Sequence, residues 1–372
     1  MIRVMLVDDS AIIRGLIKRM IDPETNIEVV ASVSNGELAV KRLETGGIDV
    51  IVLDIEMPVM DGLTALPKLL AIDPKVKIVM ASTLTMQNAE VSIEAMKMGA
   101  ADYVPKPTST AKIGGASEFR DSIIAKINAL GGSRSSLLSR SQASPTASKP
   151  AKPTAGASPV SKLAAAAGQI VLRPSPARFP PEVVAIGSST GGPQALFEVL
   201  KNISATVKVP ILITQHMPAS FTAILAKHIS GTVGRECSEG VDGEVVKPGR
   251  IYLAPGDYHM VVETQGINKV IRLNQEPPEN FCRPAVDPMF RSISEAYGGR
   301  VLSVVLTGMG ADGSRGAKVV AEGGGTVITQ DEKTSVVWGM PSATAALGIC
   351  SAVLPLQDIA AYVNNFVVKG RA

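Results

Sequence analysis

The sequence contains few aromatic residues, few cysteines and few histidines. Aromatic residues make up 3% of its 372 residues and apolar residues 45%, which is typical of a globular α/β protein rich in small aliphatic side chains. The three cysteines, Cys237, Cys282 and Cys350, are an odd number without metal-ligand spacing. This pattern predicts free thiols in a reducing compartment. The three histidines leave few candidates for an imidazole base.

Long apolar runs are also missing. No run reaches the roughly 18 residues that a membrane-spanning helix needs. Asp8 and Asp9 interrupt the first apolar stretch, where a signal peptide requires an unbroken one. We therefore expect a cytoplasmic location and no transmembrane segment.

Basic residues are concentrated in one segment. Residues 133–178 contain seven basic residues and no acid, so the remainder has a net charge of −4 within a total of +3. The remainder lacks the excess of basic residues that is typical of nucleic-acid binding, so no nucleic-acid partner is expected. The same segment is rich in Ser, Ala, Pro and Lys, which is typical of a flexible linker with too little apolar surface to fold. The chain is thus divided into a first domain (1–130), a linker (131–181) and a second domain (182–372).

Strand and helix patterns alternate five times in the first domain. The predicted strands are 2–7, 27–32, 50–53, 77–81 and 102–104, and helices are expected to begin near residues 10, 36, 63, 86 and 117. Such alternation predicts an α/β fold with a five-stranded parallel, doubly wound sheet.

Polar residues follow the strands of this predicted sheet. Asp8 and Asp9 follow the first strand, Asp54 the third, Ser82 the fourth and Lys106 the fifth. The carboxyl ends of parallel strands share one edge of a sheet, so three acids should meet there and require a cation. Hard oxygen ligands favour Mg²⁺, and the lysine and hydroxyl could bind a phosphoryl group.

The segments VDDSAIIR, VLDIEMPVMDG, ASTLT and DYVPKP resemble the receiver domain of two-component response regulators. The resemblance implies a flavodoxin-like fold, Asp54 as the phospho-acceptor and a histidine kinase as the phosphodonor. It also implies that Mg²⁺ is held at Asp54 by Asp8, Asp9 and the backbone carbonyl of Glu56. The side chains implied to contact or respond to the phosphoryl group are Ser82, Lys106 and Tyr103.

The second domain begins with a buried strand, a turn and a helix. Residues 183–186 are apolar, GSSTGG follows, and Pro193 opens a helical pattern, as proline can in a first helical turn. Hydroxyl groups at such a turn suit either an activated serine nucleophile or an anion site. Further strands are predicted at 209–214 and 301–306, and the region 233–273 is expected to form antiparallel structure. We expect a second doubly wound, mainly parallel sheet.

Three polar side chains, those of Ser189, His216 and Asp312, each follow a strand of this second sheet. A serine nucleophile needs an imidazole base, and that base needs a carboxylate to orient it. Of the three histidines, only His216 follows a strand. His228 falls late in a helical pattern, and His259 lies within a strand-like run. The pattern therefore favours a Ser-His-Asp hydrolase.

The turn Gly308–Gly313 supports an alternative, because it matches G-x-G-x-x-G between a strand and a helix and Asp331 follows the next strand. These features indicate a dinucleotide site and a dehydrogenase. Against it, Asp312 within the turn would repel a pyrophosphate, and the other two polar strand ends would have no role. The GSSTGG turn lacks the lysine of a nucleotide-binding P-loop. A non-catalytic adaptor is the third possibility.

The segments IGSSTGGPQAL, ITQHMP, IYLAPGDYHM, RPAVDPMF, LTGMGADG and VVWGMP resemble the catalytic domain of the chemotaxis protein-glutamate methylesterases, the CheB family. The resemblance implies Ser189 as nucleophile, His216 as base and Asp312 as its orienting acid, with backbone N–H groups near Thr190 and Met309 as the oxyanion hole. It implies methyl-accepting chemotaxis receptors as substrates, both ester hydrolysis and glutamine deamidation, and no cofactor in this domain. It also implies that the unphosphorylated receiver obstructs the catalytic cleft. Ser188 departs from the family, which commonly has alanine there.

Overall fold

The computed structural model describes residues 1–82, 85–106, 113–141, 170–174 and 180–369. Within these residues the chain forms a five-stranded sheet, a seven-stranded sheet and a separate two-stranded hairpin. Helices cover both large sheets, and the predicted α/β class is confirmed.

The first sheet is parallel throughout and has the order β2-β1-β3-β4-β5. Its strands are β1 (Ile2–Val7), β2 (Ile27–Val33), β3 (Val50–Asp54), β4 (Lys77–Ser82) and β5 (Asp102–Pro105). Its helices are α1 (Ala11–Ile21), α2 (Gly36–Glu44), α3 (Gly62–Ile72), α4 (Met86–Met98) and α5 (Ile113–Ser141). All residues of β3 are buried, because helices cover both faces of a parallel sheet.

Side-chain caps set the starts of the first four helices. The side chains of Ser10, Asn35, Asp61 and Thr85 each accept a hydrogen bond from a backbone N–H in the first turn of α1, α2, α3 and α4, respectively. These residue types satisfy N–H groups that have no partner within the helix. The helices consequently begin within one residue of the predicted positions.

The second sheet is also parallel throughout, with the order β14-β13-β12-β6-β7-β9-β8. Its strands are β6 (Val183–Ser188), β7 (Ile211–Gln215), β8 (Cys237–Glu239), β9 (Ile251–Leu253), β12 (Val301–Val305), β13 (Thr326–Gln330) and β14 (Ala352–Leu354). Its helices are α6 (Gly192–Lys201), α7 (Ala219–Val233), α8 (Val286–Tyr297), α9 (Ser314–Glu322), α10 (Met340–Ala345) and α11 (Leu356–Lys369). The first strand, β6, lies between β12 and β7, so chain order reverses at the middle of the sheet.

The prediction of antiparallel structure over 233–273 is wrong for β8 and β9. Both pair in parallel and extend the main sheet. The strands of this region that pair antiparallel are β10 (His259–Gln265) and β11 (Asn268–Asn274). The strands β8 and β9 have three residues each, which is too short for an alternating or continuous apolar pattern to reveal pairing direction.

Most of the predicted linker lies outside the described residues. Of its described parts, one continues a helix and another forms hydrogen bonds to the second unit. Helix α5 continues to Ser141, past the predicted domain boundary at 130. Arg173 donates hydrogen bonds from its backbone N–H to Cys350 O (2.8 Å) and from its guanidinium to Ala321 O (2.9 Å). The domain boundaries and the flexibility of the linker remain predictions.

Candidate active site and acidic site

The predicted triad residues follow the three central strands of the second sheet. Ser189 follows β6, His216 follows β7 and Asp312 lies in the turn after β12, and these strands are neighbours in the order β12-β6-β7. In open parallel sheets the crevice where chain order reverses is the usual ligand site. The topology therefore brings the three residues to one crevice.

Backbone hydrogen bonds join the three strand ends directly. Ser189 N–H donates to Thr307 O (3.0 Å), and His216 N–H donates to Ser188 O (3.2 Å). Gly308 lies against the serine, where a Cβ atom would be 2.8 Å from the Ser189 Cβ. Since real Cβ atoms do not approach so closely, only glycine at 308 allows the turn after β12 to lie beside Ser189.

His216 and Asp312 form a direct pair. His216 Nε2 lies 2.7 Å from Asp312 Oδ2, and the Asp312 carboxylate is almost fully buried. The other ring nitrogen, Nδ1, lies 3.3 Å from Cys282 Sγ. Among the described residues, Ser189 Oγ has no hydrogen-bond partner, and catalytic hydrogen bonds are often long before substrate binds. Since the acid occupies Nε2, a nucleophile must give its proton to Nδ1, whose neighbour in this structure is the Cys282 thiol.

This pair favours the charged forms of both groups. Burial lowers the pKa of His216, but the hydrogen bonds to Asp312 and Cys282 and the negative charge of Asp312 outweigh this effect, so the pKa is raised. Burial likewise acts to raise the pKa of Asp312, but the hydrogen bond and charge of His216 and two backbone N–H donors outweigh it. The pKa of Asp312 is therefore lowered. A carboxylate held ionised in this way stabilises an imidazolium.

The two adjacent serines of the GSSTGG turn differ in their surroundings. Ser188 is fully buried, and its hydroxyl donates to Gln215 Oε1 (2.7 Å). The Gln215 amide in turn donates to Ser189 O (2.9 Å). Ser188 is thus held in the wall of the turn, whereas the Ser189 side chain is half-buried. These contacts favour Ser189 as the nucleophile.

The residues predicted for the oxyanion hole occupy different environments. Thr190 is buried, and its carbonyl accepts a hydrogen bond from the Thr307 hydroxyl (2.9 Å). Met309 lies in the turn after β12 with its side chain 39% exposed. Their backbone N–H groups therefore lie in the two turns that meet at Ser189, and their role remains a prediction.

The other two histidines are engaged elsewhere. His259 is buried, its Nδ1 accepts from Ala285 N–H (3.2 Å), and its Nε2 lies 3.2 Å from Pro277 O. His228 lies in α7, where burial lowers its pKa. Both ring nitrogens of His259 contact backbone, which is typical of a structural histidine.

Sequence reasoning missed Asn280 and interpreted Cys282 as a bystander thiol, yet both residues contact the His–Asp pair. Asn280 donates to Asp312 Oδ1 (2.9 Å), and Cys282 contacts His216, as described above. Neither follows a strand, so the strand-end argument could not find them. Their nearness to the motif RPAVDPMF was the one available signal.

The second candidate site lies at the carboxyl edge of the first sheet. Carboxylate oxygens of Asp8, Asp9 and Asp54 lie within 4.8 Å of one another. Lys106 Nζ lies 2.7 Å from Asp8 Oδ2 and 2.6 Å from Asp54 Oδ1. Burial raises the pKa of Asp54 despite the opposing effect of Lys106. An all-oxygen cluster of this kind fits Mg²⁺.

The other predicted receiver residues lie around this edge. Ser82 is buried at the end of β4, 3.1 Å from the Ser92 hydroxyl, and Glu56 lies exposed in the loop after β3. Tyr103 is buried, which raises the pKa of its hydroxyl. Its ring stacks on Phe221 of α7, with centroids 4.1 Å apart. Thr83 and Leu84 of the ASTLT motif lie outside the described residues.

The unit that contains the first sheet directly contacts the turn that contains Ser189. The Thr190 hydroxyl donates to Asp102 Oδ2 (2.6 Å), and Gly191 N–H donates to Ala101 O (3.1 Å). The Gln194 amide donates to Ala100 O (2.6 Å). Asp102 also pairs with Lys126 of α5. We call this set of contacts the turn interface.

No helix within the described parts of the chain is both long enough and apolar enough to cross a membrane.

Comparison with known proteins matches both units. Residues 4–116 match the response regulator receiver domain, and residues 184–363 match the CheB methylesterase domain. A Paramagnetospirillum magneticum protein named protein-glutamate methylesterase/protein-glutamine glutaminase 1 is 57% identical over 99% of this chain and 97% of its own length. A protein of the same name from Rhodospirillum rubrum is 57% identical over 97% of this chain and 94% of its own length.

Solved structures match the two units separately. The catalytic domain of Thermotoga maritima CheB methylesterase is 40% identical, with a TM-score of 0.49, and covers 50% of this chain and 99% of that domain. The response regulator domain of the same organism's CheB is 35% identical, with a TM-score of 0.31, over 34% of this chain and 93% of that domain. Since the two curated relatives share more than half of their residues with this chain over nearly its whole length, the chain belongs to the CheB methylesterase family.

Proposed function

We propose that this chain is a phosphorylation-activated serine hydrolase that acts in the cytoplasm on methyl-accepting chemotaxis receptors. It hydrolyses glutamate γ-methyl esters and deamidates specific glutamines, which adjusts receptor output during sensory adaptation. The observation that carries the proposal is the His216–Asp312 pair at the strand ends that flank Ser189. The names of the curated relatives support the same activity.

The residues of the crevice suit acyl transfer. Ser189 Oγ attacks the ester carbonyl while His216 takes its proton at Nδ1, the nitrogen not bonded to Asp312. The imidazolium then gives this proton to the departing methoxide, which leaves as methanol; with a glutamine substrate, ammonia leaves. Water hydrolyses the acyl-serine by the same proton transfers in reverse order. Backbone N–H groups of Thr190 and Met309 stabilise the oxyanion, each by roughly 3 kcal/mol.

The hydrolase reading also accounts for the glycine-rich turn Gly308–Gly313. In this turn Asp312 is bonded to His216, and Gly308 makes room for Ser189. A dinucleotide at the same helix N-terminus would face the Asp312 carboxylate. We therefore propose no cofactor for this unit and favour hydrolysis over the dehydrogenase and adaptor alternatives.

The acidic site suits phosphoryl transfer from a chemotaxis histidine kinase to Asp54. Mg²⁺ would be held by Asp8, Asp9, Asp54 and the backbone carbonyl of Glu56, and when bound it neutralises charge on the phosphoryl oxygens. Lys106 and Ser82 contact the phosphoryl group. The charge of Lys106 and the hydroxyl of Ser82 provide the hydrogen bonds that such a group requires.

Phosphorylation acts on the turn interface through β4 and β5. Ser82 ends β4, which pairs with β5, and β5 contains Asp102 and Tyr103. Asp102 accepts the hydrogen bond from Thr190, and Tyr103 stacks on Phe221. Movement of Ser82 and Tyr103 toward the phosphoryl group weakens these contacts. The equilibrium between molecules with the turn interface formed and molecules with it broken then shifts toward the broken form, while each unit keeps its fold.

The experiment that tests the proposal measures methanol release from receptor-containing membranes with and without a small acyl-phosphate donor. We expect a rate that rises with the donor in the parent and stays flat in Asp54→Asn, because the amide cannot accept a phosphoryl group. A donor-dependent rise in Asp54→Asn would contradict the assignment of Asp54. No release from the parent under any condition, with receptors still bound, would favour the adaptor alternative.

The turn interface leads to a second prediction. Asp102→Ala removes the buried acceptor of the Thr190 hydroxyl and should raise the basal rate of unphosphorylated protein by about 10- to 150-fold, since hydrogen bonds to charged groups contribute about 1.5–3 kcal/mol. The added effect of the donor should shrink correspondingly. Glu90→Gln is the matched control, because its pair with Lys227 is 3.9 Å long and exposed and contributes little. Equal basal rates in the two variants would show that the contact does not restrain the site.

A further inference from the structure

A tight turn at residues 279–282 contacts both members of the His–Asp pair. Glu279 and Cys282 form an antiparallel bridge, with Glu279 N–H donating to Cys282 O (3.1 Å) and Cys282 N–H donating to Glu279 O (2.9 Å). The two central residues, Asn280 (φ 51°) and Phe281 (φ 64°), are left-handed. Asparagine tolerates this region, whereas phenylalanine is strained there. The surrounding structure must therefore impose the conformation.

The ends of the turn are held from outside. The Arg291 guanidinium of α8 donates two hydrogen bonds to the Glu279 carboxylate, one of them 2.9 Å long. At the other end, Cys282 lies against His216. Between them, Phe281 projects fully into solvent. Asn280 is also an exposed residue, but its amide nitrogen reaches two carboxylates beneath the turn.

That side chain lies between two buried carboxylates. Asn280 Nδ2 donates to Asp312 Oδ1 (2.9 Å) and to Asp287 Oδ2 (3.1 Å). Asp287 is fully buried in the first turn of α8 and is absent from the mechanism above. Its other oxygen accepts from Gly316 N–H (2.6 Å). One amide nitrogen therefore uses both of its hydrogens on neighbouring acids.

The donors on Asp312 are divided between its two oxygens. Oδ2 accepts from His216 and from Val286 N–H (2.6 Å). Oδ1 accepts from Asp287 N–H (3.1 Å) and Gly313 N–H (2.9 Å). Among the residues that the structure describes, Asn280 is the only side chain that donates to Oδ1. Together with the three backbone N–H groups, its bond restricts how the carboxylate plane is turned, and hence where Oδ2 meets the imidazole.

The pKa values of the two acids are shifted in opposite directions. Burial, followed by the negative charge of Asp312, raises the pKa of Asp287, whereas the pKa of Asp312 is lowered by the contacts already described. Two ionised carboxylates so close would repel each other. A neutral amide that donates to both lowers this repulsion without adding a charge that would compete with His216.

We propose that Asn280 is a positioning residue for the reaction: its amide orients Asp312 toward His216 and separates Asp312 from the buried acid Asp287. The inference rests on the proposed hydrolase function. Asn280 acts through Asp312 and does not touch the reacting atoms.

Two variants test the role. Asn280→Gly removes the amide but keeps a residue that accepts a positive φ, and Asn280→Asp keeps the shape but replaces a donor with a third carboxylate. We expect kcat to fall about 10²-fold in Asn280→Gly, as for a misplaced catalytic group, and further in Asn280→Asp. KM for the methylated receptor should stay within about twofold, because no substrate contact is lost. Asn268→Gly and Asn268→Asp, at an exposed position at the start of β11, are the matched controls.

The pH profile separates positioning from a merely structural role. A less firmly held Asp312 stabilises the imidazolium less, so the pKa of His216 should fall and the acid limb of kcat/KM should move to lower pH in Asn280→Gly. The proposal would be overturned if both variants had the kcat of the parent and an acid limb of kcat/KM at the same pH, with unfolding temperatures showing that they are folded. A loss confined to KM would also overturn it. Methanol release by the parent, and its absence in Ser189→Ala, tests the proposed function independently of either result.

Discussion

Replacing Ser189 with alanine is expected to lower the rate of methanol release by roughly 10⁴- to 10⁶-fold, as loss of the nucleophile does in other serine hydrolases. The variant lacks the only hydroxyl that lies at the end of β6 without a hydrogen-bond partner among the described residues. The backbone around it should be unchanged, since Ser189 N–H and Gln215 maintain the turn. The rate is measured on methylated receptor membranes with the acyl-phosphate donor present.

Ser188→Ala is the matched control for this variant. It removes the neighbouring hydroxyl, whose hydrogen bond to Gln215 is buried, so Gln215 Oε1 loses its donor. The expected cost is about 1–3 kcal/mol of unfolding free energy, with activity retained at temperatures where the protein is folded. The reverse pattern, with Ser189→Ala active and Ser188→Ala inactive, would identify Ser188 as the nucleophile.

Replacing Asp312 with asparagine should lower kcat by about 10⁴-fold, because the amide no longer stabilises the imidazolium or fixes the ring. The pair also sets the pH dependence. His216 must be neutral to accept a proton, and the Asp312 charge raises its pKa above the usual value. Parent activity should therefore rise with pH through a pKa above about 6.5. Residual activity of Asp312→Asn should rise at lower pH than parent activity.

The measurement is kcat/KM against pH for the parent and for Asp312→Asn, with thermal unfolding followed over the same range. An acid limb at the same pH in both proteins would show that Asp312 does not control the ionisation of His216. Since the carboxylate is also held by N–H groups at the start of α8, some loss of stability is expected. That loss lowers the unfolding temperature without moving the acid limb.

Much of the architecture could be predicted because its signals are local. The five strands of the first sheet are short, mainly apolar segments, and capping residues such as Ser10 and Asn35 precede the helices. The placement of polar residues directly after strands also predicted the residues of the crevice, since parallel strands share a carboxyl edge. The short strands β8 and β9 carried no comparable signal, and their parallel pairing depends on the neighbouring strand β7.

The contacts between units were beyond local reasoning. Nothing in the sequence around Asp102 indicates that it accepts a hydrogen bond from Thr190, 88 residues away. The same is true of Tyr103 and Phe221, whose rings stack across the two units. Such pairs depend on how two folded surfaces meet, and each surface exists only after its own sheet and helices have formed.

Local sequence patterns were enough to predict the α/β class, the two parallel sheets and the residue types at the strand ends, and the motifs carried the family resemblance. Periodicity, capping and turn chemistry act over a few residues, and the alternation of strands and helices then limits the topology to few arrangements. Three contacts depend on the packing of distant segments: Asp312 binds Nε2 of His216, Ser188 is buried against Gln215, and Asn280 lies between two acids. These contacts require side chains from distant segments to meet at hydrogen-bond distance. Close packing of the folded chain sets those distances, and local sequence patterns do not encode them.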